Sequence, residues 1–154
     1  PFLSLNCQTN SYNHSYNIIN RQYQRADSFS LDETEIKLAS GTKKPNFRKE
    51  LSQLRENLSA RYAWLTRGAV ETIGLCSNEQ LSCCPSFENE VIDPVGAGDA
   101  FCTIASLAAA KGLPIDAGTY LAQMAGAQAV RIIGNSEAIK KADLLKAAQT
   151  MINF

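Results

Sequence analysis

Hydrophobic and polar positions along the chain follow two spacings, one typical of β-strands and one typical of α-helices. Short apolar or alternating runs predict strands at residues 2–5, 26–31, 62–66, 72–76, 80–83 and 90–92. The runs at 72–76 and 80–83 flank Ser77 and Asn78, which both favour turns. We therefore expect these two runs to pair as a hairpin.

Helical spacing fills most of the intervals between the strands. Apolar residues three or four positions apart predict helices at residues 32–40, 45–60, 100–111, 114–132 and 138–152. Strands that alternate with helices favour an α/β fold, with a mainly parallel sheet and helices on both faces. With 154 residues, the chain is expected to form a single domain, residues 1–154.

Asparagine recurs at helical spacing before the second predicted strand. Asn10, Asn13, Asn17 and Asn20 follow one another at steps of 3, 4 and 3 residues. If the segment is helical, these side chains share one face. Asparagine is a mediocre helix former, so a repeated face of it needs a reason. Two interpretations remain open: a solvated helix face, or a face that meets substrate or another part of a larger protein.

Composition narrows the functional classes. The chain has 15 basic and 15 acidic residues, and this balance gives no support for binding to nucleic acid or to an anionic membrane. The longest apolar run, at residues 101–110, is roughly half as long as a membrane span. The five cysteines are odd in number and lack the spacing of zinc ligands. They are typical of reduced thiols, so we expect a cytoplasmic protein.

The segment at residues 92–102 carries the strongest chemical signal. Gly96 and Gly98 precede an alanine-rich helix, and glycine lets a backbone approach a ligand closely. Unpaired N–H groups at a helix start attract anions such as phosphate. Asp99 would repel a bound phosphate unless it handles a proton, so the combination predicts phosphoryl transfer to a hydroxyl with Asp99 as the base. The alternative is that Asp99 only complements the helix dipole.

Residues 93–101 read Asp-x-x-Gly-Ala-Gly-Asp-x-Phe and resemble the C-terminal signature of the ribokinase-like (pfkB) carbohydrate kinases. The resemblance implies a ribokinase-like fold in which Gly96 and the backbone N–H groups of Ala97, Gly98 and Asp99 hold the transferring phosphoryl group. Asp99 would accept the proton of the sugar hydroxyl. A Cβ at Gly98 is expected to crowd the ligand or to bar the required backbone angles.

Residues 32–35 resemble the Asn-x-x-Glu motif of the same kinases, with Asp32 in place of asparagine. In that family the motif lies near Mg²⁺ and its waters, so the resemblance implies metal roles for Asp32 and Glu35, with Glu35 acting indirectly. An aspartate at the N-cap with glutamate three positions later is also a capping box. The two interpretations are compatible, because one motif can begin a helix and face a metal.

Further positions resemble the family's ATP site. The resemblance assigns nucleotide binding to Thr66, Gly68, Gln123, Gly126, Ala127, Gly134 and Asn135. The alternatives are an ordinary turn after the third strand and close packing on the long helix. Many relatives also have a loop for a monovalent cation, which would lie near Asp93, Val95 and Gly134 here. Because parallel strands bind ligands beyond their carboxyl ends, residues 32–35, 66–68 and 96–99 are expected to share one crevice.

Kinases of this family are about twice as long as the chain. We therefore expect the nucleotide-binding, C-terminal half of a larger kinase that uses ATP and Mg²⁺ to phosphorylate a sugar or sugar phosphate. The N-terminal half, with its lid and most of the sugar site, would be absent, and the fragment alone would be inactive. Residues 6–10 are similar to a segment of the heptose-phosphate kinase branch. A homo-oligomer is compatible with this interpretation.

Two other functional classes remain open. One is a catalytically inactive nucleotide-binding or regulatory module that keeps the same fold. The other is an interaction domain whose asparagine-rich edge docks a partner. The presence of Gly96, Gly98 and Asp99 favours the kinase, because loss of the base is the expected mark of an inactive relative.

Overall fold

The computed structural model describes residues 1–8, 18–88 and 90–152. Asn10, Asn13 and Asn17, three members of the predicted asparagine face, lie outside these residues. The fourth member, Asn20, donates its side-chain N–H to the carbonyl oxygen of Ala39 at 3.2 Å. No helix in the described part of the chain is long and apolar enough to cross a membrane.

The strands form one five-stranded sheet in sequential order. They are β1 (Ser4–Asn6), β2 (Ser28–Asp32), β3 (Tyr62–Thr66), β4 (Glu71–Cys76) and β5 (Leu81–Pro85). The first three strands are parallel. β4 and β5 then pair antiparallel, as the predicted hairpin requires. The predicted α/β class is confirmed.

The helices are α1 (Ile19–Gln22), α2 (Glu33–Ser40), α3 (Phe47–Asn57), α4 (Ala97–Ala110), α5 (Ile115–Ala129) and α6 (Lys141–Ile152). A short 3₁₀ turn, Ile133–Asn135, follows α5. α4 begins three residues before the predicted start because Gly96 adopts a left-handed conformation, with φ 86°, and caps the helix. Asp99 therefore lies in the first turn of α4 rather than ahead of it.

The strand predicted at residues 90–92 is wrong. This segment is irregular and joins β5 to α4. Its backbone is held by the residue that follows α5 instead of by a strand, since the N–H groups of Ile92 and Asp93 both donate to the carbonyl oxygen of Val130, at 3.0 and 2.9 Å. Val91 and Ile92 are more than half exposed, and Pro94 removes a donor that a ladder would need.

Helices cover both faces of the sheet, as predicted. On one face, Ala63 and Leu65 of β3 belong to a buried cluster with Leu51 and Leu54 of α3. On the other face, Trp64 packs with residues of α4 and α5, namely Phe101, Ala105, Ile115 and Ala122. Alternate residues of β3 point to opposite faces. The carboxyl ends of β2 and β3 are thereby fixed next to the first turn of α4.

Candidate active site

Two adjacent hollows lie at the carboxyl ends of β2 and β3, beside the first turn of α4. The larger has a volume of about 490 Å³ and the smaller about 240 Å³. Asp32, Thr66 and Gly98 line both hollows, whereas Asp99 lines only the smaller one. The expectation that the three motifs share one crevice is confirmed, because each contributes to this pair of hollows.

The first turn of α4 offers two unengaged backbone donors. The N–H of Ala97, one of the three donors predicted to bind the phosphoryl group, already donates to the carbonyl oxygen of Pro94 at 3.3 Å. Within the described residues, the N–H groups of Gly98 and Asp99 form no hydrogen bond. Helix-start donors of this kind are an anion-binding arrangement. The geometry narrows the candidate phosphate contacts to these two groups.

Gly98 itself adopts no strained backbone conformation. Gly98 is not one of the described glycines with a positive φ, and a Cβ added to it would meet no atom within 4 Å. The expectation that a side chain would bar the backbone angles is therefore wrong. The expectation that a Cβ would crowd a ligand stays a prediction, since Gly98 faces the open space of both hollows.

The Asp99 carboxylate is held by two amides from the carboxyl end of β1. Its Oδ1 accepts hydrogen bonds from Asn6 Nδ2 at 2.9 Å and from Gln8 Nε2 at 2.8 Å. The sequence interpretation gave neither residue a role at Asp99. The rule that parallel strands present their carboxyl ends at one edge could have pointed to them, because Asn6 ends a parallel strand.

Asp32 and Glu35 form the predicted capping box. Asp32 Oδ1 accepts from the N–H of Glu35 at 2.7 Å, and Glu35 Oε2 accepts from the N–H of Asp32 at 2.9 Å. Glu35 is buried and lines the smaller hollow together with Asp99. The described residues contain no group of three or more metal-binding side chains. These carboxylates fit Mg²⁺ that keeps most of its waters, and they do not fit an all-protein cage.

Arg67 joins two acidic residues at the edge of the larger hollow. Its guanidinium bonds Glu33 at 2.8 Å and Glu71 at 2.5 Å, and it lies 4.7 Å from the centre of the Phe47 ring. Hydrogen bonds from Lys37 and then from Arg67 lower the pKa of Glu33. Hydrogen bonds to Glu33 and then to Glu71 raise the pKa of Arg67. The negative charge beside the hollow is thus partly neutralised before any anion binds.

The remaining predicted nucleotide positions separate into two groups. Thr66, Gly68, Gln123, Gly126 and Ala127 all line the larger hollow. Gln123 is nine-tenths buried, and its Oε1 accepts from the hydroxyl of Thr72 at 2.6 Å.

Gly134 and Asn135 lie in the 3₁₀ turn after α5 and do not line either hollow. Asp93 links this turn to the loop before α4. Its Oδ2 accepts from the N–H of Gly134 at 2.7 Å, and its Oδ1 accepts from the N–H of Val95 at 2.9 Å. The hydrogen bond from Gly134, and to a smaller extent the one from Val95, lowers the pKa of Asp93. Asp93 therefore contacts both of the other residues of the predicted cation loop.

Solved structures of sugar kinases share this fold. The ribokinase of Arabidopsis thaliana, solved with ribose and ATP, has a TM-score of 0.72 at 18% identity over 84% of this chain and 43% of its own. A putative ribokinase II of E. coli, solved with ATP and Mg²⁺, gives 0.67 at 22% identity over 83% and 39%. Phosphofructokinase-2 of Escherichia coli, solved with potassium, gives 0.69 at 16% identity over 83% and 42%. The chain thus spans about two-fifths of the length of these structures.

No individual curated protein matches the chain significantly in sequence. The sequence pattern of the pfkB family carbohydrate kinases matches residues 13–142, which is most of the chain. The matched range includes the α4 motif, the capping box and the larger hollow. The chain therefore belongs to the pfkB family of carbohydrate kinases.

Proposed function

We propose that the protein transfers the terminal phosphoryl group of ATP to a hydroxyl of a sugar or sugar phosphate. The observation that carries this proposal is the position of the first turn of α4 between the two hollows. Gly98 lines both of them, and Asp99 faces only the smaller, more polar one. A phosphoryl group at the N–H groups of Gly98 and Asp99 would lie between a nucleotide on one side and an acceptor on the other.

The chemistry follows from these contacts. ATP supplies the phosphoryl group when bound, and Mg²⁺ neutralises part of its charge. The acceptor oxygen bonds to phosphorus while the bond to the leaving ADP oxygen breaks, and Asp99 takes the hydroxyl proton. A carboxylate is a weak base for a resting alcohol, so the proton leaves late, once the new bond is forming. Gly98 and Asp99 N–H groups hold the developing charge.

The nucleotide would occupy the larger hollow against Thr66, Gly68, Gln123, Gly126 and Ala127. The volume of about 490 Å³ supports this, because it lies in the range of small-molecule sites. Gly134 and Asn135 would close the adenine side from outside the hollow. We also propose a monovalent cation near Asp93, Val95 and Gly134. The contact among these residues supports it, as does the potassium bound to phosphofructokinase-2.

Asp32 and Glu35 would hold Mg²⁺ through its waters. The variant Asp32→Asn tests this role separately from helix capping, because asparagine caps a helix as well as aspartate does. We expect thermal stability to stay the same, while the Mg²⁺ concentration for half-maximal activity rises by about 2- to 5-fold as one negative charge is lost. An unchanged Mg²⁺ requirement would leave Asp32 with the capping role alone.

We propose that residues 1–154 are the nucleotide-binding half of a larger kinase, here called the whole kinase. The chain's coverage of about two-fifths of its solved neighbours supports this. Strand β1 supports the same proposal, because it is an edge strand of only three residues and the half-exposed Leu107 of α4 lies beside it.

The five free cysteines support a cytoplasmic location. Assembly as a homo-oligomer stays a prediction.

Kinship with the heptose-phosphate kinase branch also stays a prediction from residues 6–10. The contacts of Asn6 and Gln8 with Asp99 support it, because the proposed acceptor would lie beside Asp99. A heptose phosphate is therefore the first acceptor to test.

ADP formation tests the proposal. The whole kinase and residues 1–154 alone would each be given ATP, Mg²⁺ and a panel of sugars and sugar phosphates, with a chelator as control. We expect acceptor-dependent ADP formation by the whole kinase only, because residues 1–154 cannot hold the acceptor in line. ATP binding by the whole kinase without phosphorylation of any acceptor would favour the inactive nucleotide-binding module. Strong sugar phosphorylation by residues 1–154 would contradict the two-part arrangement.

A further inference from the structure

We infer that Asn6 and Gln8 are positioning residues for the catalytic carboxylate of Asp99. This inference rests on the proposed function, since it assigns these residues a task in the same reaction. Both amides donate to a single oxygen, Asp99 Oδ1, at 2.9 and 2.8 Å. Asn6 is the last residue of β1 and Gln8 follows it by two positions, so they reach Asp99 across 93 and 91 residues of sequence. The fold therefore brings two donors to one atom of the proposed base.

The amide of Asn6 is itself held in orientation. Asn6 lies in register with Ser30 of β2, and the Ser30 hydroxyl donates to Asn6 Oδ1 at 3.4 Å. With its oxygen facing Ser30, the amide presents Nδ2 to Asp99. A strand end in a parallel sheet is a rigid support, so the donor position is set by the sheet.

A second set of contacts fixes α4 against the same two strands. The hydroxyls of Ser4 and Ser106 are 2.5 Å apart, and the hydroxyl of Ser28 donates to that of Ser4 at 2.8 Å. Ser106 lies seven residues after Asp99, about two turns along the helix. These hydrogen bonds hold the helix that carries the base against the strand whose carboxyl end leads to the two donors.

The consequence is a directed carboxylate. Asp99 is exposed, so without partners its carboxylate would rotate between several orientations. Two donors on Oδ1 remove this freedom and leave Oδ2 without a hydrogen bond to any described residue. Oδ2 is then the atom that accepts the proton of the acceptor hydroxyl. Small errors in the placement of a reacting group cost large factors in rate.

Variants of equal size test this role in the whole kinase. Asn6→Asp and Gln8→Glu keep the shape but replace a donor with an acceptor that repels Asp99. We expect kcat to fall on the order of tenfold for each. The fall in kcat should exceed any rise in KM for ATP, because neither residue lines the larger hollow. Gln53→Glu on α3 is the matched control, because Gln53 is an exposed amide that donates to Asn57 on the same helix, away from both hollows. It should leave kcat unchanged.

A raised KM for the sugar with unchanged kcat would overturn the inference, since the two amides would then bind the acceptor directly. Equal losses in all three variants would overturn it too, because a general effect of added charge would explain them.

Thermal stability tests the contact without any activity. Asn6→Asp should lower the melting temperature in the natural background, where two carboxylates face each other. In the Asp99→Asn background the amide at position 99 can donate to the carboxylate at position 6, so the same change should cost nothing. Equal effects in both backgrounds would overturn the inference while the proposed function stands. A third outcome is that the changes at positions 6 and 99 are coupled in melting temperature but the natural protein phosphorylates no sugar. That result would overturn both the proposed function and the positioning role, and the contact would be structural only.

Discussion

Replacing Gly98 with alanine should separate the folding of α4 from its binding of phosphate. Gly98 lies in the first turn of α4 with no positive φ, and the added Cβ would meet no atom within 4 Å. Alanine is favoured over glycine in a helix by about 0.5–1 kcal/mol. A domain of this size gains about 2–4 °C in melting temperature per kcal/mol. We therefore expect Gly98→Ala to melt about 1–4 °C higher than the natural protein.

The same methyl group should weaken ATP binding. It projects into the space between the two hollows, where the phosphoryl group would contact the N–H groups of Gly98 and Asp99. A hydrogen bond to a charged group is worth about 1.5–3 kcal/mol. If the phosphate shifts enough to lose one such bond, the affinity falls by about 10- to 100-fold. Gain of stability with loss of affinity is a combination that a purely structural glycine does not produce.

Calorimetry of ATP binding and thermal melting would be measured on the same preparation of the whole kinase. Gly118→Ala is the matched control, a helical glycine in α5 whose added Cβ makes ordinary contacts of 3.4 and 3.6 Å away from the site. It should leave ATP affinity unchanged. Gly96→Ala should instead lower the free energy of unfolding by about 1–2 kcal/mol, because the φ of Gly96, 86°, is left-handed. Full ATP affinity in a well-folded Gly98→Ala protein would refute the phosphate-binding role of this turn.

Two further predictions concern stability. Gly74→Ala should lower the free energy of unfolding by about 1–3 kcal/mol. The added Cβ would clash with the Thr119 hydroxyl, which accepts a hydrogen bond from Trp64 at 2.9 Å. An unchanged melting temperature would contradict this packing. Glu33 has a lowered pKa, so its ion pairs stabilise the fold above its ordinary value of 4.5 and are lost as pH falls through the folded value. Glu33→Gln should therefore be less stable at pH 7 and approach the natural protein only once the pH falls below the lowered pKa of folded Glu33. A pH-independent difference in melting temperature would contradict the ion pair.

Local patterns predicted the parts of this protein that depend on neighbouring residues. The capping box at residues 32–35 is a local exchange of hydrogen bonds, and the structure has it as predicted. Strand β3 has the predicted bounds, since a buried strand of five residues is set by its own apolar run. The shared crevice followed from the rule for parallel strands, which needs only the order of the elements.

The errors arise where distant residues decide. Residues 90–92 have an apolar pattern, but their backbone bonds Val130, which no local pattern reveals. The start of α4 depends on the left-handed φ of Gly96, and the sequence shows the glycine but not its conformation. The two amides on Asp99 come from the other end of the chain. The rule for parallel strands could have placed Asn6 at this edge of the sheet, but its contact with Asp99 depends on the packing of α4 beside β1.

The variant Asp99→Asn tests the proposed reaction most directly. It removes the base and one negative charge but keeps the size of the side chain, and asparagine still suits the first turn of a helix. In the whole kinase we expect sugar phosphorylation to fall by about 10²- to 10⁴-fold, the range for loss of a general base. ATP affinity should stay equal or rise slightly, because repulsion of the terminal phosphate is relieved. A loss of less than about tenfold, with ATP still bound, would show that Asp99 is not the base.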